Sequence, residues 1–197
     1  MAARNVQVTL RYCSEVSAAD WIVQAPISWM QLVGFGPPDF PAYARLRFIP
    51  DPTEPGQVES DVNLADDHPS DLEQTQRALG YLRPFTATPE ECYFCAWEGY
   101  AEVHFDGPMV TIPHRRYFLL HGSLTDFGTW DETFGGTGYG RPPALVWPAD
   151  HSWCLASDVD PHWAGIGAEQ VAIDALLNAS ELDVVPARPT EPQPTYY

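Results

Sequence analysis

Apolar and polar positions alternate in several short stretches of this chain and recur at helical spacing in a few others. In "NVQVTLRYC" the residues Val6, Val8, Leu10 and Tyr12 fall on every second position, a period of two that predicts a strand. "AYARLRFIP" repeats the pattern, with Ala44, Leu46 and Phe48 on one face and Tyr43, Arg45, Arg47 and Ile49 on the other. Side chains alternate across a strand, so the first set is the expected core face. Further strands are predicted at 91–98, 100–105, 109–112 and 115–121, in "ALVWP" and in "SWCLASDVD". "ISWMQLVGFGPPDF" also reads as a strand running into a Gly/Pro turn.

Helical spacing appears in "DLEQTQRALGYL", where Leu72, Gln76, Leu79 and Leu82 form a rough stripe before Pro84. Ser70 stands three residues before Glu73, the signature of a capping box. "AEQVAIDALLNA" carries Gln170, Asp174 and Asn178 on a wet side and Ile173, Leu176 and Leu177 on a dry side. "SAADWIVQAP" predicts a short helix with Ser17 as N-cap and Pro26 as its stop. "TDFGTWDETF" predicts another short helix, and "GGTGYGRPP" a loop.

Strands outnumber helices, and consecutive strands lie close in sequence. Short connections favour antiparallel pairing over crossovers. The expected fold is α+β, a mainly antiparallel sheet with about three helices packed on one face. It is expected as one domain over residues 1–185, followed by a proline-rich extended tail at 186–197.

Charge alters the functional side of this picture. The 197 residues carry a formal net charge of −17, and all ten basic residues are arginines. A field of this sign repels phosphate backbones and attracts basic partners, so direct nucleic-acid binding is not expected. The bias peaks in "DPTEPGQVESDVNLADDHPSDLE", residues 51–73, which hold eight acids and no arginine. Its prolines and glycine predict an exposed loop. No apolar run is long enough to span a bilayer, and "MAARNVQVTLRYCSEV" lacks an apolar signal core, so the expectation is a cytoplasmic protein. Free thiols are then expected for Cys13, Cys92, Cys95 and Cys154.

Cys92 and Cys95 have the spacing of a zinc or redox pair, which requires a turn to bring the sulfurs together. Tyr93 and Phe94 between them favour a strand instead, with the two thiols on opposite faces. His114 and His121 lie too far apart in sequence for the usual completion of such a site. The expected role is that of small buried hydrophobes.

The densest chemistry lies in "WPADHSWCLASDVDPHWAGIGAEQ", residues 147–170. As a strand it places Asp158 and Asp160 on one face, with His162 just beyond Pro161. Asp158, Asp160 and His162 are therefore a candidate oxygen and nitrogen cluster for a divalent ion, although a structural role as strand-ending and capping residues is the stronger expectation. Gly165 and Gly167 before the last helix have the form of a phosphate cradle, but the neighbouring aspartates oppose an anion there. Glu98, between Trp97 and Tyr100, is a candidate acid or base if burial raises its pKa, and otherwise the partner of an arginine. Arg115 and Arg116 are the one adjacent basic pair, suited to an anion or to ion pairs with carboxylates. Trp97 and Trp163 join them as candidate ligand-binding residues. No nucleophile elbow, phosphate loop or zinc-protease motif is present, and no cofactor is expected.

The stretches "YARLRFIPDP", "DDHPSDLEQ", "CYFCAWEGY", "PHRRYFLL" and "VWPADHSWCLASDVDPHWAGIGA" resemble a family of uncharacterised actinobacterial proteins of about this size. The resemblance runs along nearly the whole chain, implies one domain and carries over no catalytic residue. The leading expectation is an acidic binding protein of adaptor or immunity type with a basic protein partner. The alternative is a small-molecule enzyme, a metal-assisted hydrolase in which Asp158, Asp160 and His162 hold the ion, Glu98 is the base and Arg116 holds the substrate.

Overall fold

Nine antiparallel strands form one sheet in a computed structural model that describes residues 9–100, 106–134 and 140–197. In chain order the strands and α-helices are β1 (Arg11–Tyr12), α1 (Asp20–Val23), α2 (Trp29–Phe35), β2 (Ala42–Arg47), α3 (Asp71–Leu82), β3 (Cys92–Trp97), β4 (Met109–Ile112), β5 (Arg115–Gly122), α4 (Trp130–Thr133), β6 (Leu145–Pro148), β7 (Trp153–Ala156), β8 (Trp163–Ala168), α5 (Gln170–Leu177) and β9 (Val184–Pro186). The spatial order is β1-β5-β3-β6-β7-β8-β2-β9, with β4 paired to β5. The α+β class and the antiparallel sheet follow from the period-two strands and their short connections. Among the described residues there are five short α-helices rather than about three. The strand expected at 100–105 and most of the "GGTGYGRPP" loop lie largely outside the described residues.

Helices cover both faces of the sheet, not one. Leu46, Phe94, Leu120, Val146, Leu155 and Ile166 pack into one core with α3 and α5. Cys95, Leu119, Leu145, Trp147, Cys154 and Ala156 point the other way and pack with Ile22 of α1 and Leu32 and Val33 of α2. The strands β6, β7 and β8 are buried throughout, as strands covered on both sides must be.

In the stretch "ISWMQLVGFGPPDF", read as a strand and turn, Trp29–Phe35 is helix α2. Ser28 is its N-cap: its hydroxyl accepts from the Gln31 backbone N–H at 3.3 Å and meets the Gln31 amide oxygen at 3.2 Å. That Ser-x-x-Gln signature outweighs the mainly apolar run around it, which fits either structure. Gly36, in a left-handed conformation (φ 76°), ends the helix.

Two other details differ from expectation, and one agrees. Ser17 opens a 3₁₀ turn without capping it by a side-chain bond, and α1 begins after Ala19. In α3 the buried stripe runs through Thr75, Ala78, Leu79 and Leu82, whereas Gln76 is exposed. The predicted capping box of Ser70 and Glu73 is formed in both directions.

Candidate functional site

A cleft of about 400 Å³ lies between α2, the loop that leads into β8, and the segment at residues 189–196. Its walls include Trp29, Met30, Phe35, Trp163 and Tyr196, and Asp160 and Glu191 also line it. Volume and apolar lining put it at the small end of the range for ligand sites.

The strand β7 stops at Ala156, so Asp158 and Asp160 belong to the following loop and period-two alternation does not place them. The Ser157 backbone N–H donates to Ala144 O at 2.8 Å, the last bond of this strand pair before the loop. Both carboxylates are instead gathered by Arg115, at the start of β5. Its Nε donates to Asp158 Oδ1 and its Nη2 to Asp158 Oδ2, each at 2.9 Å, and Asp160 Oδ2 lies 3.8 Å from Nη2. The remaining arm, Nη1, donates to the carbonyl of His114 at 3.1 Å. The guanidinium also sits 5.4 Å from the Trp29 ring and 5.3 Å from the Trp97 ring. Hydrogen bonding to Asp158 first of all, opposed by burial, raises the Arg115 pKa above its ordinary value. Asp158 is nearly buried, but the Asp160 side chain is 86% exposed.

His162 faces away from this pair. It is buried on the other side of the loop, where its Nε2 lies 3.0 Å from Asp51 Oδ1. Asp51 also accepts from Arg45 at 2.7 and 2.9 Å and from Arg47 at 3.1 Å. Burial alone would raise the Asp51 pKa, but hydrogen bonds from Arg45 and His162, then the charge of Arg45, outweigh it and hold the carboxyl well below the usual range. Arg47 goes on to Asp183, Nη2 to Oδ1 at 2.6 Å. Arg45 lies 5.5 Å from the Trp163 ring, which places this network directly behind the cleft. The residues Arg45, Asp51 and Asp183 were not singled out from the sequence. The one available signal was a pair of arginines on the same face of β2, which a strand does not bury without carboxylates.

Glu98 lies in a 3₁₀ turn after β3 rather than on a strand, and accepts from Arg116 Nε at 2.7 Å. Neither Glu98 nor Arg116 lines the cleft that Asp158 and Asp160 line. The expected trio of Asp158, Asp160 and His162 is divided between two networks. Among the described residues no group of three or more His, Cys, Asp or Glu side chains is arranged to hold a metal ion.

Gly165 and Gly167 are not in a loop before α5. They lie within β8, where a Cβ at Gly165 would run into the Gly34 carbonyl and the Phe35 ring, and one at Gly167 into the Phe40 ring. They let α2 and its flanks approach the sheet. Cys92 belongs to one core and Cys95 to the other, so the strand does separate the thiols. Burial first, then Asp150 and Glu90, push the Cys92 thiol up to about 12.

No helix among the described residues is long and apolar enough to cross a membrane. No known protein-family model, curated protein or solved structure matches the chain.

Proposed function

We propose that this chain is a cytoplasmic acidic binding protein, of adaptor or immunity type, that covers a basic surface of another protein. The observation that carries the reading is the segment 51–73. Glu54, Glu59, Asp61, Asp66 and Asp67 are exposed along it, around the exposed side chains of Val58 (37%) and Leu64 (38%). Asp51 alone in this segment enters an ion pair among the described residues. A ribbon of carboxylates with apolar side chains set into it suits a partner that is basic and partly apolar. Such charge arrays govern association rate and choice of partner more than final affinity.

The test is affinity capture from the native source at low salt, followed by association kinetics with the captured protein. Replacing Glu54, Glu59, Asp66 and Asp67 by their amides should slow association by about tenfold or more, and the difference should shrink with added salt. Capture of no protein partner, or of one whose association ignores both changes, rejects the reading.

A further inference from the structure

The cleft beside the acidic segment has a chemistry of its own. Its charges do not balance. Asp158 and Asp160 together face the single guanidinium of Arg115, which leaves one net negative charge at the mouth, and that charge sits on exposed Asp160. Behind the cleft, Arg45 and Arg47 are matched by Asp51 and Asp183. Glu191 adds a rim carboxylate whose partner, Arg188, is itself exposed.

An anion finds little here. All three arms of the Arg115 guanidinium already donate, two to Asp158 and one to a carbonyl. A planar cation is favoured instead. Trp29 and Trp163 line the cleft, and each already has a guanidinium of the fold within 5.4 or 5.5 Å of its ring. Met30, 67% exposed at the rim, offers an adaptable apolar surface for an alkyl stem.

The C-terminal wall of the cleft also touches the start of the acidic segment. Tyr196, one of its walls, donates its hydroxyl to Pro50 O at 2.5 Å, and the Tyr197 N–H donates to Gln57 O at 3.0 Å. A chain lying along residues 51–57 therefore passes the wall of the cleft that Tyr196 forms.

We propose that the cleft receives one arginine side chain of the basic partner, its guanidinium meeting Asp160 beside the tryptophan rings and its stem lying against Met30. This deepens the acidic-binding reading and rests on it for the source of the arginine. Arginine is preferred over lysine because its flat, weakly hydrated head stacks on aromatic rings.

The experiment is a titration of the whole chain with arginine amide, citrulline amide and a lysine-flanked peptide bearing one central arginine, followed on the indole N–H resonances of Trp29 and Trp163. Arginine amide should shift both resonances saturably and citrulline amide should not. Asp160→Asn should weaken arginine amide about fivefold, and neutralising Asp66 and Asp67 should leave it unchanged. The peptide should bind more tightly than arginine amide, and neutralising Asp66 and Asp67 should erase that gain. No saturable shift with arginine amide, equal binding of citrulline amide, or indifference to Asp160→Asn overturns the site. A peptide no tighter than arginine amide overturns the partner as source and leaves a free small cation. If the arginine results hold while the acidic segment proves irrelevant to partner association, the cation site stands and the reading of the acidic segment falls.

Discussion

The guanidinium of Arg115 and the carboxylate of Asp158 meet at two points, 2.9 Å each, across 43 residues of sequence. This pair ties β5 to the loop before β8, and it does so between two tryptophan rings. Side-chain exposures of 13% and 8% mean that neither partner can be rehydrated cheaply if the other is removed. Asp158→Ala should therefore destabilise the protein by about 3 kcal/mol in urea unfolding. Arg115→Ala should cost a similar amount, and the double variant less than the sum by at least about 1 kcal/mol. Additive single losses would mean that the pair is not coupled.

Asp51 predicts how stability depends on acid. Its folded-state pKa is depressed, so the unfolded chain binds the proton more readily than the folded one. The contribution is complete above the ordinary aspartate value and declines as pH falls through about 5 to 4 and below. Asp51→Asn should be less stable than wild type by about 2 kcal/mol at pH 7, since it loses hydrogen bonds to charged donors. Urea unfolding at steps from pH 7 to pH 3 should show the two proteins converging as acid is added. A gap that stays constant, or widens, would contradict the assignment.

The thiols differ in accessibility. Cys92, Cys95 and Cys154 are buried and Cys13 is half-buried. Burial raises all four pKa values, for Cys13 with help from Glu15, so none is an activated thiolate. A disulfide reagent at pH 8 should label Cys13 slowly in the native protein and the other three only on unfolding. Mass spectrometry counts the adducts. Rapid native labelling of Cys92 or Cys95 would show that the strand does not hold them as described.

The sequence pattern and the structure part company at identifiable places. Period-two alternation was reliable wherever a strand has paired neighbours: it put Ala44, Leu46 and Phe48 in the core and separated Cys92 from Cys95. It failed at Asp158 and Asp160 because β7 ends at Ala156, and alternation says nothing about a loop. The apolar run at 29–35 was ambiguous between strand and helix, and the deciding residues were Ser28 and Gln31 at its start. The Asp51 network was hidden for a different reason. It joins Arg45, Arg47 and Asp51 to His162 and Asp183, more than a hundred residues away, and no local pattern pairs side chains that far apart.

Gly165 links the fold to the cleft. On β8 it faces the Gly34 carbonyl and the Phe35 ring, both in the helix that forms one wall. A methyl group there meets backbone as well as a ring, so α2 or β8 must move rather than a flexible side chain. Overpacking of this kind costs roughly 1–3 kcal/mol, and Gly165→Ala should fall toward the upper end of that range in urea unfolding. The displacement has a second consequence, because Trp29, Met30 and Phe35 ride on the same helix. Gly165→Ala should therefore weaken arginine amide at the Trp29 resonance, even at temperatures where the variant is fully folded. Gly80→Ala is the matched control: it lies in α3, and nothing stands within 4 Å of the added Cβ. There the exchange should stabilise by about 0.5–1 kcal/mol through helix propensity and leave the cleft unaffected. Equal stability and equal arginine binding for Gly165→Ala and wild type would show that the close approach of α2 to β8 neither limits packing nor shapes the cleft.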